Sequence, residues 1–150
     1  MGTTTMSHLS AQSAEVVIAA SRTKALDIGV PVNIAVLDAG GHLKAFLRMD
    51  GAVLGSIDLA MGKARTSILF GMTSEAVFEF CKPGAPGYGL ENSNGGLVVF
   101  AGGCPLRDAQ GELIGAVGVS GGAVPQDRSI AEAGEAAFPA GKITDLETLP

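Results

Sequence analysis

A six-residue pattern occurs twice in the chain, as Asp38-Ala-Gly-Gly-His-Leu43 and as Asp108-Ala-Gln-Gly-Glu-Leu113, each time between apolar stretches. The aspartate can accept hydrogen bonds from the amides of its own turn, and the glycine at the fourth position takes the positive φ that closes a tight reversal. The flanking stretches therefore become neighbouring antiparallel strands. This spacing predicts one hairpin from 32–38 and 42–49, and another from 104–107 and 112–120. Residues 112–120 are nearly all small or β-branched, as in a central strand covered on both faces. The apolar run 97–101, set off by Gly102-Gly103, reads as a fifth strand.

Around these strands the apolar period becomes helical. Ala14, Val17, Ile18, Ala25 and Ile28 share a face over 10–28, where Ser10 can cap the start and Gly29 with Pro31 ends it. Ile57, Ala60, Met61, Ala64 and Ile68 do the same over 56–70, with Ser56 as cap, Asp58 in the first turn and Gly71 as a left-handed stop. A short helix is expected from Ser74 to about Phe80, and a last one over 128–138, capped by Gln126 or Asp127 and closed by Pro139. The order predicts an α+β domain, an antiparallel five-stranded sheet flanked by helices. One domain over 10–139 is expected, with a flexible N-terminus at 1–9 and a tail at 140–150.

A net charge of -5 with neither sign gathered into a block argues against nucleic acid as a partner. No apolar run approaches the roughly 18 residues that span a bilayer, and the start Met-Gly-Thr-Thr-Thr-Met lacks the pattern of a signal peptide. A cytoplasmic protein without membrane contact is the expectation. Cys81 and Cys104 form no metal-ligand spacing and read as small buried hydrophobes, so no metal site is expected.

Gly118-Val-Ser-Gly-Gly122 has the G-x-S-x-G spacing of a nucleophile elbow. The elbow needs a strand running into a helix, with an acid and then a histidine later in the chain. Both histidines, His8 and His42, come earlier, and Pro125 is expected to hold a loop before the last helix. Ser120 and Gly121 fit better as the polar rim of a pocket, where a glycine turn before a helix offers amides to an anion or a carbonyl oxygen.

Three stretches together, "VNIAVLDAGGHLKAFLRMDGAVLGSID" at 32–58, "AMGKARTSILFG" at 60–71 and "AGGCPLRDAQGELIGAVGVSGGAVPQDRSIA" at 101–131, resemble the GlcG/HbpS family, which includes the C-terminal domain of PduO-type proteins. The resemblance spans the first helix to the last. It implies a profilin-like fold, homo-oligomers from dimer to octamer, and binding or degradation of haem in some members.

A haem needs an apolar slot, one or two axial donors and cations for its propionates. The donors on offer are His42, His8, Met49, Tyr88 and the two cysteines, with His42 the first choice. Arg48 and Arg65 have the planar fork that clamps a carboxylate or propionate. An alternative is a catabolic enzyme acting on a small organic acid by proton transfer, isomerisation or lyase chemistry. Arg48 or Arg65 would then hold the acid, while His42, Glu91 or Asp58 moves protons. Glu91 stands in the loop 88–94, which could close over a small ligand. Either function needs Arg48, His42, Asp58 and the Ser120 turn around one hollow.

Overall fold

The computed structural model describes residues 8–138. Four helices and four strands follow the order α1 (Ala11–Ile28), β1 (Asn33–Asp38), β2 (Leu43–Arg48), α2 (Ser56–Phe70), α3 (Ser74–Cys81), β3 (Gly103–Arg107), β4 (Leu113–Ser120) and α4 (Val124–Ala137), with one 3-10 turn at Leu90–Asn92 between α3 and β3. The strands form one antiparallel sheet in the order β2-β1-β4-β3. β1 and β4 are the buried middle pair.

The two repeated turns fold alike. Asp38 Oδ1 accepts from the amides of Gly40 and His42, and Asp108 Oδ1 accepts from those of Gln110 and Glu112. Gly41 and Gly111 take φ of 81° and 82°. Ser10 caps α1 by accepting from the Ser13 amide, and Gly29 ends it in the left-handed region, as the sequence indicates.

Four expectations are corrected. The run 97–101 is not a fifth strand, because its backbone bonds go to other elements: the Val98 amide donates to Thr66 Oγ1, and the Phe100 carbonyl accepts from Ser74 Oγ. The segment crosses α2 instead of pairing in the sheet. Helix α4 starts at Val124, not at 128, and Pro125 lies in its first turn, where a missing N–H costs nothing. Pro125 thus begins a helix where a loop is expected, and Gln126 serves the start by accepting from the Ala123 amide. Ser56 does not cap α2; its hydroxyl donates to the Val53 carbonyl. Leu9 is buried in the core, so the expected arm at 1–9 does not extend that far. Residues 1–7 and the tail from 139 lie outside the described residues.

Two layers cover the sheet. Val32, Ile34, Val36, Cys104, Leu106, Val117 and Val119 face α1 and α4, against Ala14, Val17, Ala25, Ile130 and Ala131. Leu37 and Ala116 face α2 through Ala64 and Ile68. No helix among the described residues is long and apolar enough to cross a membrane.

Candidate functional site

Asn33 pairs with Arg48 on one side and with Ser120 on the other, which places all three in one row at the end of the sheet next to the loop before α2. The outer two stand about 10 Å apart across three strands. Asn33 is fully buried; its Nδ2 donates to the Val53 carbonyl, and its Oδ1 has no hydrogen-bond partner. Ser120 is 3% exposed. Gly121 follows with φ of 142° and packs so closely on Pro31 and Val32 that a Cβ would come within 2.9 Å of the Pro31 carbonyl oxygen.

Arg48 also borders a hollow of about 280 Å³ at the β2 edge, lined by Arg22, Leu26, Leu47, Arg48, Met49 and Asp50. Leu26 on α1, one of the lining residues, is exposed. Two arginines, two leucines, a methionine and an aspartate thus border one hollow.

The other expected residues stand elsewhere. His42 lies in the β1–β2 turn, exposed, about 20 Å along the strand from Arg48 at the ordinary rise per residue. Asp58 is exposed in the first turn of α2. Arg65 is committed to the loop after α3, where its Nη1 donates to the Asn94 carbonyl at 2.7 Å. Glu91 sits in the 3-10 turn of that loop, half-buried, with Oε1 buried and unpartnered. Of the sequence-predicted set, Arg48 and Ser120 come together with Asn33, Arg65 on α2 reaches the loop that carries Glu91, and His42 and Asp58 join neither.

The least expected group is Lys63, which is wholly buried. Its Nζ donates to the Val119 carbonyl at 2.9 Å and to Asp127 Oδ2 at 3.1 Å, and lies 4.9 Å from the centre of the Phe100 ring. Asp127 Oδ1 in turn accepts from the Gly122 amide at 2.8 Å. The pair therefore fixes both sides of the Ser120-Gly121-Gly122 turn, the carbonyl before it and the amide at its end. Burial lowers the Lys63 ammonium from its ordinary value, opposed by the neighbouring Asp127 carboxylate and by Glu75. The sequence does carry the pattern that finds it: Ser56, Ala60, Lys63, Ala64 and Ser67 all fall on the buried face of α2, a stripe of small residues that includes the lysine.

Both cysteines are buried and free. Burial pushes the Cys104 thiol well above its ordinary value, helped by Glu135, Glu75 and Glu132, while burial raises Glu135 itself. No group of acidic, cysteine and histidine residues suited to a metal ion occurs among the described residues.

The model of the family described as haem degrading protein HbpS-like matches residues 9–136. The chain belongs to that family. It is 43% identical over 114 residues to an uncharacterized 15.0 kDa protein encoded between dhaT and dhaS in Citrobacter freundii, covering 75% of this chain and 80% of that one. It is 36% identical over 112 residues to the protein GlcG of Escherichia coli strain K12, covering 75% and 81%. Among solved structures, the PduOC:heme complex superposes with a TM-score of 0.84 at 36% identity, over 90% of this chain and 98% of that one. The four-stranded α+β architecture is shared with HbpS itself, at a TM-score of 0.81 and 28% identity, over 91% of this chain and 94% of that one.

Proposed function

We propose that this chain is a small-molecule-binding protein whose ligand is a haem or related tetrapyrrole, held by the hollow at the β2 edge. The observation that carries the reading is the meeting of Arg22, Arg48 and Met49 over Leu26 and Leu47. A tetrapyrrole carries carboxylates on one edge and a flat apolar body, and the hollow offers arginine forks and apolar floor for both. Its volume takes an edge of such a ligand, and the exposed Leu26 gives that edge an apolar contact. Met49 supplies a sulfur donor in reach of that floor, a role for which His42 stands too far away. When bound, haem supplies a redox-active iron; the residues of this chain hold its carboxylates and one face. That a relative of similar fold forms a complex with haem supports the same reading.

Binding is favoured over acid–base turnover of a small organic acid, because Glu91, Asp58 and His42 line none of the hollow that holds the arginines. Addition of hemin is expected to give a sharp Soret band that saturates at fixed stoichiometry. Arg22→Ala with Arg48→Ala is expected to weaken binding tenfold or more, since each charged hydrogen bond contributes about 1.5–3 kcal/mol. Met49→Leu is expected to shift the band and His42→Ala to leave it unchanged. Broadening without saturation, or loss of the band in His42→Ala alone, contradicts the proposal.

A further inference from the structure

The two edges of the sheet differ. β3 meets α3, where the Gly103 amide donates to Ser74 Oγ. β2, at the other edge, pairs with β1 alone among the described residues. Its register tells which backbone groups are left over. The Met49 amide donates to the Val32 carbonyl at 3.1 Å, and bonded and unbonded pairs alternate along an antiparallel ladder. Asn33–Arg48 and Ala35–Phe46 are therefore unbonded pairs, so the N–H and C=O groups of Phe46 and Arg48 point out of the sheet. A row of such groups is a template for another strand.

The side chains say what kind of strand. Lys63 and Lys82 and Arg128 are held in ion pairs, and Arg65 and Arg107 donate to backbone carbonyls. Arg22, Lys24, Lys44 and Arg48 make no such bond among the described residues, and three of these four lie on β2 or in the hollow beside it. The hollow sets one acid, Asp50, against its two arginines. Lys44 is the residue skipped by the register shift at the turn end of β2. A bulge and a lysine deter a strand of the same charge. A second copy of β2 would set lysine and arginine against themselves, and like charges across a ladder destabilise it. For a strand of opposite charge the same side chains are an attraction.

From this edge we infer that β2 takes up an extended acidic segment of a partner protein as an added strand. Its backbone pairs with Phe46 and Arg48, its carboxylates meet Arg22, Lys44 and Arg48, and an apolar side chain between them lies on Leu26 and Leu47. Main-chain pairing gives such a complex its affinity and the side chains its selectivity. The inference shares Arg48 with the haem reading and does not rest on it.

The test titrates the full chain with a hexapeptide alternating glutamate and valine, with its lysine counterpart, and with the glutamate peptide methylated at its backbone nitrogens. The glutamate peptide is expected to saturate at one equivalent and to bind at least tenfold more tightly than either of the others. It is expected to slow amide exchange at Phe46 and Arg48 and to leave Leu47, whose amide faces β1, unchanged. Lys44→Glu is expected to weaken it tenfold or more without altering hemin binding, because Lys44 lies outside the hollow. Phe46→Pro removes an N–H that the β1 ladder does not use, and is expected to bind it more weakly than Phe46→Ala does. Equal affinity for the glutamate and lysine peptides, undiminished binding of the methylated one, equal binding by the two Phe46 variants, or slowed exchange elsewhere overturns the inference. So does a dimer in which Phe46 and Arg48 are protected without peptide, which gives the edge to a second copy. A missing Soret band overturns the haem reading alone and leaves each of these outcomes as decisive as before.

Discussion

The two faces of the sheet are held by different means. Toward α1 and α4 the strands present Val32, Ile34, Val36, Leu106, Val117 and Val119, and the layers meet through branched side chains. Toward α2 the strands present Gly103 and Gly118, and backbone meets backbone: a Cβ on Gly118 would collide with the Ala60 carbonyl oxygen, and one on Gly103 with the Lys63 carbonyl. The first face is held by apolar volume, which tolerates exchanges of similar size. The second is held by closeness and by one buried ion pair, and neither has slack. It is also the second face that carries the Ser120 turn, the loop to α3 and both ends of the Asn33 row.

The sharpest way to break the contrast is Lys63→Ala. It leaves Asp127 buried with one partner lost, and is expected to cost about 3–5 kcal/mol in urea unfolding. Lys63→Met combined with Asp127→Leu removes both charges and is expected to recover most of that stability, because well-packed apolar residues often replace a buried pair without loss. Should the single variant cost no more than a surface substitution, the pair holds nothing and the second face is ordinary packing.

A smaller effect compares one residue from each face. Gly118→Ala adds a single methyl group where α2 has no room, and is expected to destabilise by about 1–3 kcal/mol. Ile34→Val removes a methylene from the opposite layer and is expected to cost about 0.5–1.5 kcal/mol. The ordering, addition worse than removal, is the signature of a close-packed backbone contact. The reverse ordering in thermal or urea unfolding would mean that α2 shifts outward at little cost.

This difference also decides what the sequence discloses. The apolar face is legible because its strands alternate branched residues and its turns are written in Asp and Gly at fixed offsets, which is why both hairpins fall where the spacing puts them. The close face is written in absences, glycines and alanines, and small residues do not say what fills the space above them. Lys63 has the residue type of a solvated charge and the position of a core residue, and type prevails over position when a single face is assigned. The 97–101 run has the composition of a strand, but strand identity is settled by a pairing partner, which no local stretch contains. The Arg22–Arg48 hollow joins α1 to an edge strand far along the chain, so Arg48 is found by its fork and Arg22 only by the fold.

The finest test of the second face is its pH dependence. Burial lowers the Lys63 ammonium below its ordinary value of 10.5 in the folded chain. The unfolded chain therefore binds this proton more strongly than the folded one across the interval below 10.5, and there the unfolding free energy rises with pH on account of this group. The contribution is complete above 10.5 and is lost as pH falls through the folded value. Other groups titrate in the same range, and a net charge of -5 grows more negative, but these changes are common to the parent and to the paired variant Lys63→Met with Asp127→Leu. The stability of the parent minus that of the variant is thus expected to climb with pH toward 10.5, by less than about 1.4 kcal/mol per pH unit. A flat difference would mean that Asp127 holds the proton on Lys63 as firmly as water does in the unfolded chain, and that the ion pair offsets the whole penalty of its own burial.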